Sequence, residues 1–291
     1  MSTSTVYKAS PVKRRRRTNT ELAAINEAII RICEEEHPIS LRGVYYRVVS
    51  LGAIEKTESG YNVIGRQLGK LRRDGRVPYE HITDGTRMMR KPQTWSGLDE
   101  MLNDASLSYK RAMWDNQAAE VIILSEKDAI TGAVYPVTAK WDVELGVTRG
   151  YSSDTFAHSI AQTVLANTRK VKNTVIYNLG DHDPSGVDAW RDLSRKVYEF
   201  APLGLVEFER LAVTEEQIDE LDLPTRPTKG KDTRAAGFRG GSVEVDAIPS
   251  SVLRSIVENA ITRHIDDHAL ELTRMVENEE RELLDQMIGG R

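Results

Sequence analysis

The sequence predicts an α/β protein in two parts: a basic helical unit at the N-terminus, then a parallel sheet with helices on both faces, trailed by C-terminal helices. Three observations predict it. Apolar residues recur at helical spacing through residues 20–74, whereas from about 119 to 213 short apolar runs of strand length alternate with helical stretches. Charge is divided as unevenly as texture: residues 1–91 carry 18 Lys+Arg against 10 Asp+Glu, and the remainder 22 against 34. A basic front half suits a polyanion and an acidic back half suits a cation. The 291 residues suffice for two cores, and 40% hydrophobic with 29% charged residues is the composition of a packed globular chain.

Residues 1–19 are polar and include the run Lys13 to Arg17, which reads either as a disordered arm reaching nucleic acid phosphates or as a solvated tail. Thr18 with Glu21 forms a capping box, and Leu22, Ile25, Ile29 and Ile32 follow at helical spacing, so a helix is expected over 20–35. The single cysteine, Cys33, lies on the apolar face of that helix and reads as core; alone it can form neither an intrachain disulfide nor a thiolate zinc site. His37-Pro38 breaks the chain, Ser40 can cap a second helix over 41–51, and Gly52 can end it. A third helix over 60–74 places Tyr61, Ile64, Leu68 and Leu71 on one face and Arg66, Lys70, Arg72 and Arg73 on the other. An Asp84-Gly85 turn flanked by Arg76, Arg87, Arg90 and Lys91 reads as a short β-hairpin. Three helices and a basic hairpin over residues 20–91 describe a winged helix, whose third helix would enter a DNA groove while the wing holds phosphate.

Residues 92–118, with Trp95, Leu98, Met101, Leu102 and Trp114, read as a helical connector. Strands are then expected at 120–125, 142–147, 173–179 and 205–211, with helices near 128–139, 153–167 and 185–200 between them, over a domain spanning 119–213. Residues 214–241, at the head of the 214–291 region, contain Pro224, Pro227 and a basic Gly-rich run with Lys229, Lys231, Arg234 and Arg239, and read as a mobile loop. A late strand is expected at 242–247, and Pro249 at a first helical position opens an amphipathic region over 250–287.

In an open parallel sheet, sites form at the carboxyl ends of strands. Glu126 directly follows one predicted strand, and Asp181 and Asp183 directly follow another. Their carboxylates can converge on one hard cation, Mg²⁺ or alternatively Mn²⁺; taken singly, each aspartate could equally be a helix N-cap. The segments SEKDAI at 125–130 and GDHDPSGVDAW at 180–190 resemble the Toprim domain. SLRGVYYRV at 40–48, VTRGYSSD at 147–154 and SVEVDAI at 242–248 are similar to segments of the topoisomerase VI A subunit family, above all the small stand-alone A-like proteins of mobile elements.

That resemblance spans roughly residues 20–270 and implies a winged-helix domain followed by a Toprim domain. It implies Tyr46 as nucleophile, Arg42 as its electrostatic helper four residues earlier, and Glu126, Asp181 and Asp183 as cation ligands, with Glu126 also catalytic. It further implies Mg²⁺-dependent DNA cleavage leaving a 5′-phosphotyrosyl link, and a homodimer in which each tyrosine works with the other protomer's metal site. The chain has no ATPase domain of its own, so strand passage calls for a separate ATPase subunit. The residues agree on the chemistry: a phenol with a pKa near 10 needs adjacent positive charge to attack phosphorus, and Arg42 shares the helix face of Tyr46, while Tyr45 points elsewhere and reads as packing. Tyr46 reads otherwise as a half-buried or DNA-contacting residue. The alternatives are a Toprim-type nuclease that hydrolyses DNA with metal-activated water, or a non-catalytic DNA-binding protein. Arg66, Lys70, Arg72, Arg73, Arg76 and Arg87 are the expected contacts to double-stranded DNA. The histidines show no zinc spacing. With no run of about 18 apolar residues and no apolar signal core, a cytoplasmic, DNA-associated protein outside the membrane is expected.

Overall fold

A computed structural model of the protein describes residues 17–83, 91–226, 238 and 241–289. The Lys13–Arg17 arm except Arg17, the Asp84-Gly85 turn, Arg87 and Arg90, and the loop cations Lys229, Lys231, Arg234 and Arg239 lie outside the described residues.

Three helices open the chain: α1 (Asn19–Glu36), α2 (Leu41–Ser50) and α3 (Glu58–Arg73). Their starts are set as the sequence predicts. Thr18 and Glu21 make the reciprocal capping box of α1, and the Ser40 hydroxyl accepts from the Gly43 N–H at the start of α2. Gly52, at φ +69°, carries the turn after α2. Thr18→Ala should lower stability by about 1 kcal/mol, because the first-turn N–H groups lose an acceptor; a urea midpoint shift at unchanged slope would measure it.

The β-hairpin is not what the described residues form. Ile82–Thr83 (β2) pairs in parallel with Ile39–Ser40 (β1), so the chain after α3 returns beside the start of α2. There it packs on α5 (Asp128–Lys140), where Gly132 leaves room for Thr83: a methyl on Gly132 would stand 2.5 Å from Thr83 Cβ. The connector is helical only over α4 (Leu98–Ser108), which buries no side chain. It lies along the last helix through polar ties such as Ser106 to Asp285 at 2.6 Å.

The expected parallel sheet is present. Its strands are β3 (Ala119–Ser125), β4 (Glu144–Val147), β5 (Asn173–Leu179) and β6 (Val206–Ala212), in the order β4-β3-β5-β6, every pair parallel. Side-chain alternation along β3 sends Ile122 and Leu124 toward α6 (Asp154–Arg169) and α7 (Pro184–Phe200), and Val121 and Ile123 to the opposite face. That opposite face carries α5 and α9 (Ser250–Thr262), and its apolar cluster runs on without a break into Ile25, Ile29, Val44 and Ile64 of the N-terminal helices. One core therefore joins the helical unit to the sheet. Buried Glu36 reinforces the joint, accepting from Arg47 Nε at 2.5 Å and from the Ser250 N–H at 3.2 Å.

Three expectations beyond the sheet need correction. Residues 214–241 are not all loop, since Thr214 and Gln217 form a capping box for α8 (Glu215–Glu220). The late strand at 242–247 does not form: Val243 makes an isolated antiparallel bridge to His182, and Val245–Ala247 curl into a 3₁₀ turn. The alternating pattern there is real, but its buried members include charge, because Asp246 is 2% exposed and turns onto Lys127. Pro249 sits just before α9 rather than within it, and the C-terminal region is two helices, α9 and α10 (Asp267–Gly289). Among the described residues no helix is long and apolar enough to cross a membrane.

Candidate active site

Strand order places β3 between β4 and β5, so the chain leaves the carboxyl ends of β3 and β5 side by side and toward opposite faces, which opens a crevice there. Glu126 follows β3, its N–H bound to the Leu179 carbonyl of β5 at 2.9 Å. Its Oε2 accepts the N–H of Asp181 at 2.9 Å. Asp183 is the N-cap of α7, accepting from the Gly186 N–H at 2.7 Å. The Glu126 and Asp183 carboxylates bracket Gly186: a methyl there would lie 3.0 Å from Glu126 Oε2, 3.4 Å from Asp183 Oδ1 and 2.6 Å from the Asp181 carbonyl oxygen. Gly186→Ala should therefore destabilise the chain by about 1–3 kcal/mol through overpacking, read as a lowered denaturation midpoint.

Asp181 faces elsewhere. Its Oδ2 meets Lys127 Nζ at 2.8 Å and its Oδ1 accepts the Val245 N–H at 3.0 Å. Lys127 also holds Asp246 at 3.1 Å and Glu244 at 3.2 Å, so one ammonium gathers three carboxylates. Burial alone would lower the Lys127 pKa, but Asp246, Asp181 and Glu244 outweigh it and hold the amine above the ordinary lysine value. Burial raises Asp181 despite Lys127, and it raises Glu126, helped by the neighbouring Asp181 charge.

The three acids expected to share a cation are thus adjacent but not convergent, and among the described residues no three His, Cys, Asp or Glu side chains gather closely enough to hold a metal. The crevice nevertheless offers hard-cation chemistry. Asn178 is 4% exposed and its Oδ1 accepts no hydrogen bond. With Glu126 it lines a cavity of about 10 Å³, room for about one water-sized species. Glu126 and the Asn178 oxygen line that cavity, and Asp183 Oδ1 stands across Gly186 from Glu126; oxygen donors of these types suit Mg²⁺ or Mn²⁺. Arg210, from β6, adds positive charge behind this set; burial lowers its pKa, and its Nη2 donates to the Gly180 carbonyl at 2.9 Å and to that of Asp181.

Tyr46 lies in the same charge network, 1% exposed beneath α2. Its hydroxyl accepts from Arg226 Nη2 at 3.0 Å, and the Glu244 carboxylate is near enough to act on it electrostatically. Arg42 reaches Tyr46 through that same glutamate, pairing with Glu244 Oε2 at 2.8 Å, while Arg226 Nη1 takes Oε1 at 3.0 Å. Burial pushes the phenol pKa upward, and Glu244 adds to the rise against Arg226 and Arg42. Glu244 goes the other way: although burial would raise it, Lys127, Tyr46 and Arg42 bring it down to about 2. Tyr45 is packing, as its position implies, donating to the Thr57 carbonyl at 3.1 Å with its ring edge-on to Tyr61.

Of the expected DNA contacts, Arg66, Lys70, Arg73 and Arg76 are exposed along and just beyond α3. Arg72 instead folds back over the Tyr79 ring, 4.3 Å from its centroid. His182 is buried with a depressed pKa from burial, and Cys33 is a core thiol that burial pushes up to about 12. Lys127, Arg210, Arg226, Glu244 and Asp246 are site residues that sequence reasoning misses. Lys127 stands next to Glu126 in SEKDAI, and Glu244 and Asp246 are the acids of SVEVDAI, so their signal lies within the segments that carry the resemblance; Arg210 and Arg226 have no such signal. No protein-family model and no curated protein matches the chain.

Proposed function

We propose that the protein cleaves duplex DNA by transesterification from Tyr46, as a homodimer of the topoisomerase VI A-like kind, with Mg²⁺ or Mn²⁺ held by Glu126 and Asp183 and aided by Asn178. One observation carries this reading: a continuous path from the Tyr46 hydroxyl to Arg226, to Glu244, to Lys127, to Asp181, whose N–H binds Glu126. A tyrosine that merely filled the core would have no need of a guanidinium group on its oxygen, itself paired with a carboxylate. In the proposed step Tyr46 Oη attacks phosphorus, the P–O3′ bond breaks, and a 5′-phosphotyrosyl bond forms. The phenol proton passes to Glu244, and the leaving 3′ oxygen takes a proton from solvent. The bound cation would neutralise charge on the phosphate. Strand passage would require a separate ATPase subunit.

A second reading, hydrolysis at the Glu126–Asp183 crevice without the tyrosine, is favoured by the burial and raised pKa of Tyr46. Incubation with supercoiled plasmid and Mg²⁺ or Mn²⁺ tests both. A covalent protein–DNA adduct supports transesterification, cutting without one selects hydrolysis, and neither leaves a DNA-binding protein.

The exposed cations of α3 should supply much of the duplex affinity. Replacing Arg66, Lys70 and Arg73 together by glutamine should weaken binding and reduce the slope of log K against log salt by about one for each phosphate no longer neutralised. An unchanged slope would remove α3 from the DNA interface. Because the helical unit shares its core with the sheet, such point substitutions are a cleaner test than deleting residues 1–91.

A further inference from the structure

We infer that Arg42, Lys56 and Arg226 build a pocket for one phosphodiester group above the Tyr46 hydroxyl, within the chain that supplies the tyrosine. A cavity of about 320 Å³ opens in front of Tyr46, lined by these three cations, by Glu244 and, at its rim, by exposed Glu58. Lys56 lies over the Tyr46 ring, 5.2 Å from its centroid, and donates to the Pro224 carbonyl at 2.6 Å. Among the described residues it has no carboxylate partner. One partly buried and two exposed cations around a partly buried carboxylate leave an excess of positive charge in a site lined with donors.

The inner carboxylate, Glu244, marks where a ligand would bind. Both Glu244 oxygens are held by guanidinium groups, Oε2 by Arg42 at 2.8 Å and Oε1 by Arg226 at 3.0 Å. Each is a single charge-assisted contact of the kind that guanidinium groups also give phosphate oxygens. A diester entering the pocket would compete with Glu244 for both. Losing those partners would raise the basicity of Glu244 as the phosphorus arrives beside Tyr46, which makes the glutamate a better acceptor for the phenol proton. Burial, then the charge of Arg226, lowers Lys56 to about 8, as expected of a cation lacking its counter-ion. The identity of the ligand as a nucleic acid diester rests on the proposed DNA cleavage; the existence of an anion pocket does not.

The test uses the full chain in chelator-treated, metal-free buffer, with thymidylyl-thymidine (TpT), which carries a single diester, and inorganic phosphate as separate probes, titrated by ³¹P NMR. TpT should bind saturably. Lys56→Met and Arg226→Gln should each weaken it about tenfold or more, Lys56→Arg should retain it, and Glu244→Gln should tighten it by freeing the guanidinium groups. A melting curve for each variant verifies folding. TpT keeps one charge as pH rises, so its affinity should fall through pH 8 as Lys56 loses its proton, and Lys56→Arg should remove that dependence. The groups facing Lys56 are Arg42, Arg226, Glu58, Glu244, Tyr45, Tyr46 and Tyr61; Tyr45 and Tyr46 are held above the ordinary tyrosine value by burial, and Arg42 above the ordinary arginine value by Glu244 and Asp246 against burial.

Absence of saturable binding of both TpT and phosphate, or affinity unaffected by both Lys56→Met and Arg226→Gln, would overturn the pocket. Phosphate binding without TpT binding would overturn the diester assignment. TpT binding by a chain that never cuts plasmid would instead sink the cleavage reading and leave the pocket standing.

Discussion

Tyr46→Phe should bind duplex DNA as tightly as the parent chain and form no covalent adduct with it. Removing the nucleophile of a cooperating catalytic set lowers turnover by factors on the order of a million, so cleavage should fall below detection. The fold should survive, because Arg226 and Glu244 remain paired with each other when the hydroxyl is gone; the missing hydrogen bond should cost about 1–3 kcal/mol at most. Tyr45→Phe, which loses one bond to the Thr57 carbonyl, should still cut. Arg42→Ala should slow cutting by a few kcal/mol of barrier, the usual worth of a charged donor near developing charge. Gel analysis of denatured complexes with end-labelled duplex separates these outcomes. Undiminished metal-dependent cutting by Tyr46→Phe would assign the chemistry to the Glu126–Asp183 crevice.

Lys127→Met should be the most destabilising single change in the site, by about 3–5 kcal/mol, the range for removing one partner of a buried ion pair. It leaves Asp181, Glu244 and Asp246 together without their shared ammonium, and the Asp246 side chain has no solvent exposure. The pH response is a sharper check than the magnitude. In the parent, Glu244 is depressed to about 2, so its contribution is present above the ordinary glutamate range and is lost as pH falls through about 2. Lys127, held above its ordinary value, contributes up to and beyond the ordinary lysine range. Acidification from about pH 5 toward about pH 3 should therefore remove part of the Glu244 contribution, while Asp181, raised by burial, is relieved over the same fall. In Lys127→Met the main source of the Glu244 contribution is gone, so the same acidification should weaken the variant less than the parent. Chemical denaturation at about pH 3 and pH 5 measures both responses, and an equal or smaller loss in the parent would mean that Lys127 does not organise the cluster.

The periodic elements were readable in the sequence because each carries its own local signal. α1 has its capping box and apolar stripe, and β3 and β5 are apolar runs bounded by polar turns. The strand ends bearing Glu126 and Asp181 followed from chain order and the crevice rule. What failed was pairing and polarity in three dimensions. SVEVDA alternates as a strand does, yet it turns at Val245 because the N–H there binds Asp181 and the next acid is drawn under Lys127. Asp181 and Asp183, two apart, looked as though they could face one cation, but one serves Lys127 and the other caps α7. Arg226 lies 180 positions beyond Tyr46, and no local pattern announces such a pairing.

Because a single apolar core runs from α1 and α3 through to the sheet, any torque that a duplex exerts on the arginines of α3 is delivered undiminished to the strand ends at Glu126 and Asp183. In the proposed homodimer, each copy would then act as one body rather than as two hinged parts. If two copies cut a duplex, the broken ends can part only by relative movement of the copies, and the compliant elements available to such movement are α4 and the far end of α10, which carry little of the core.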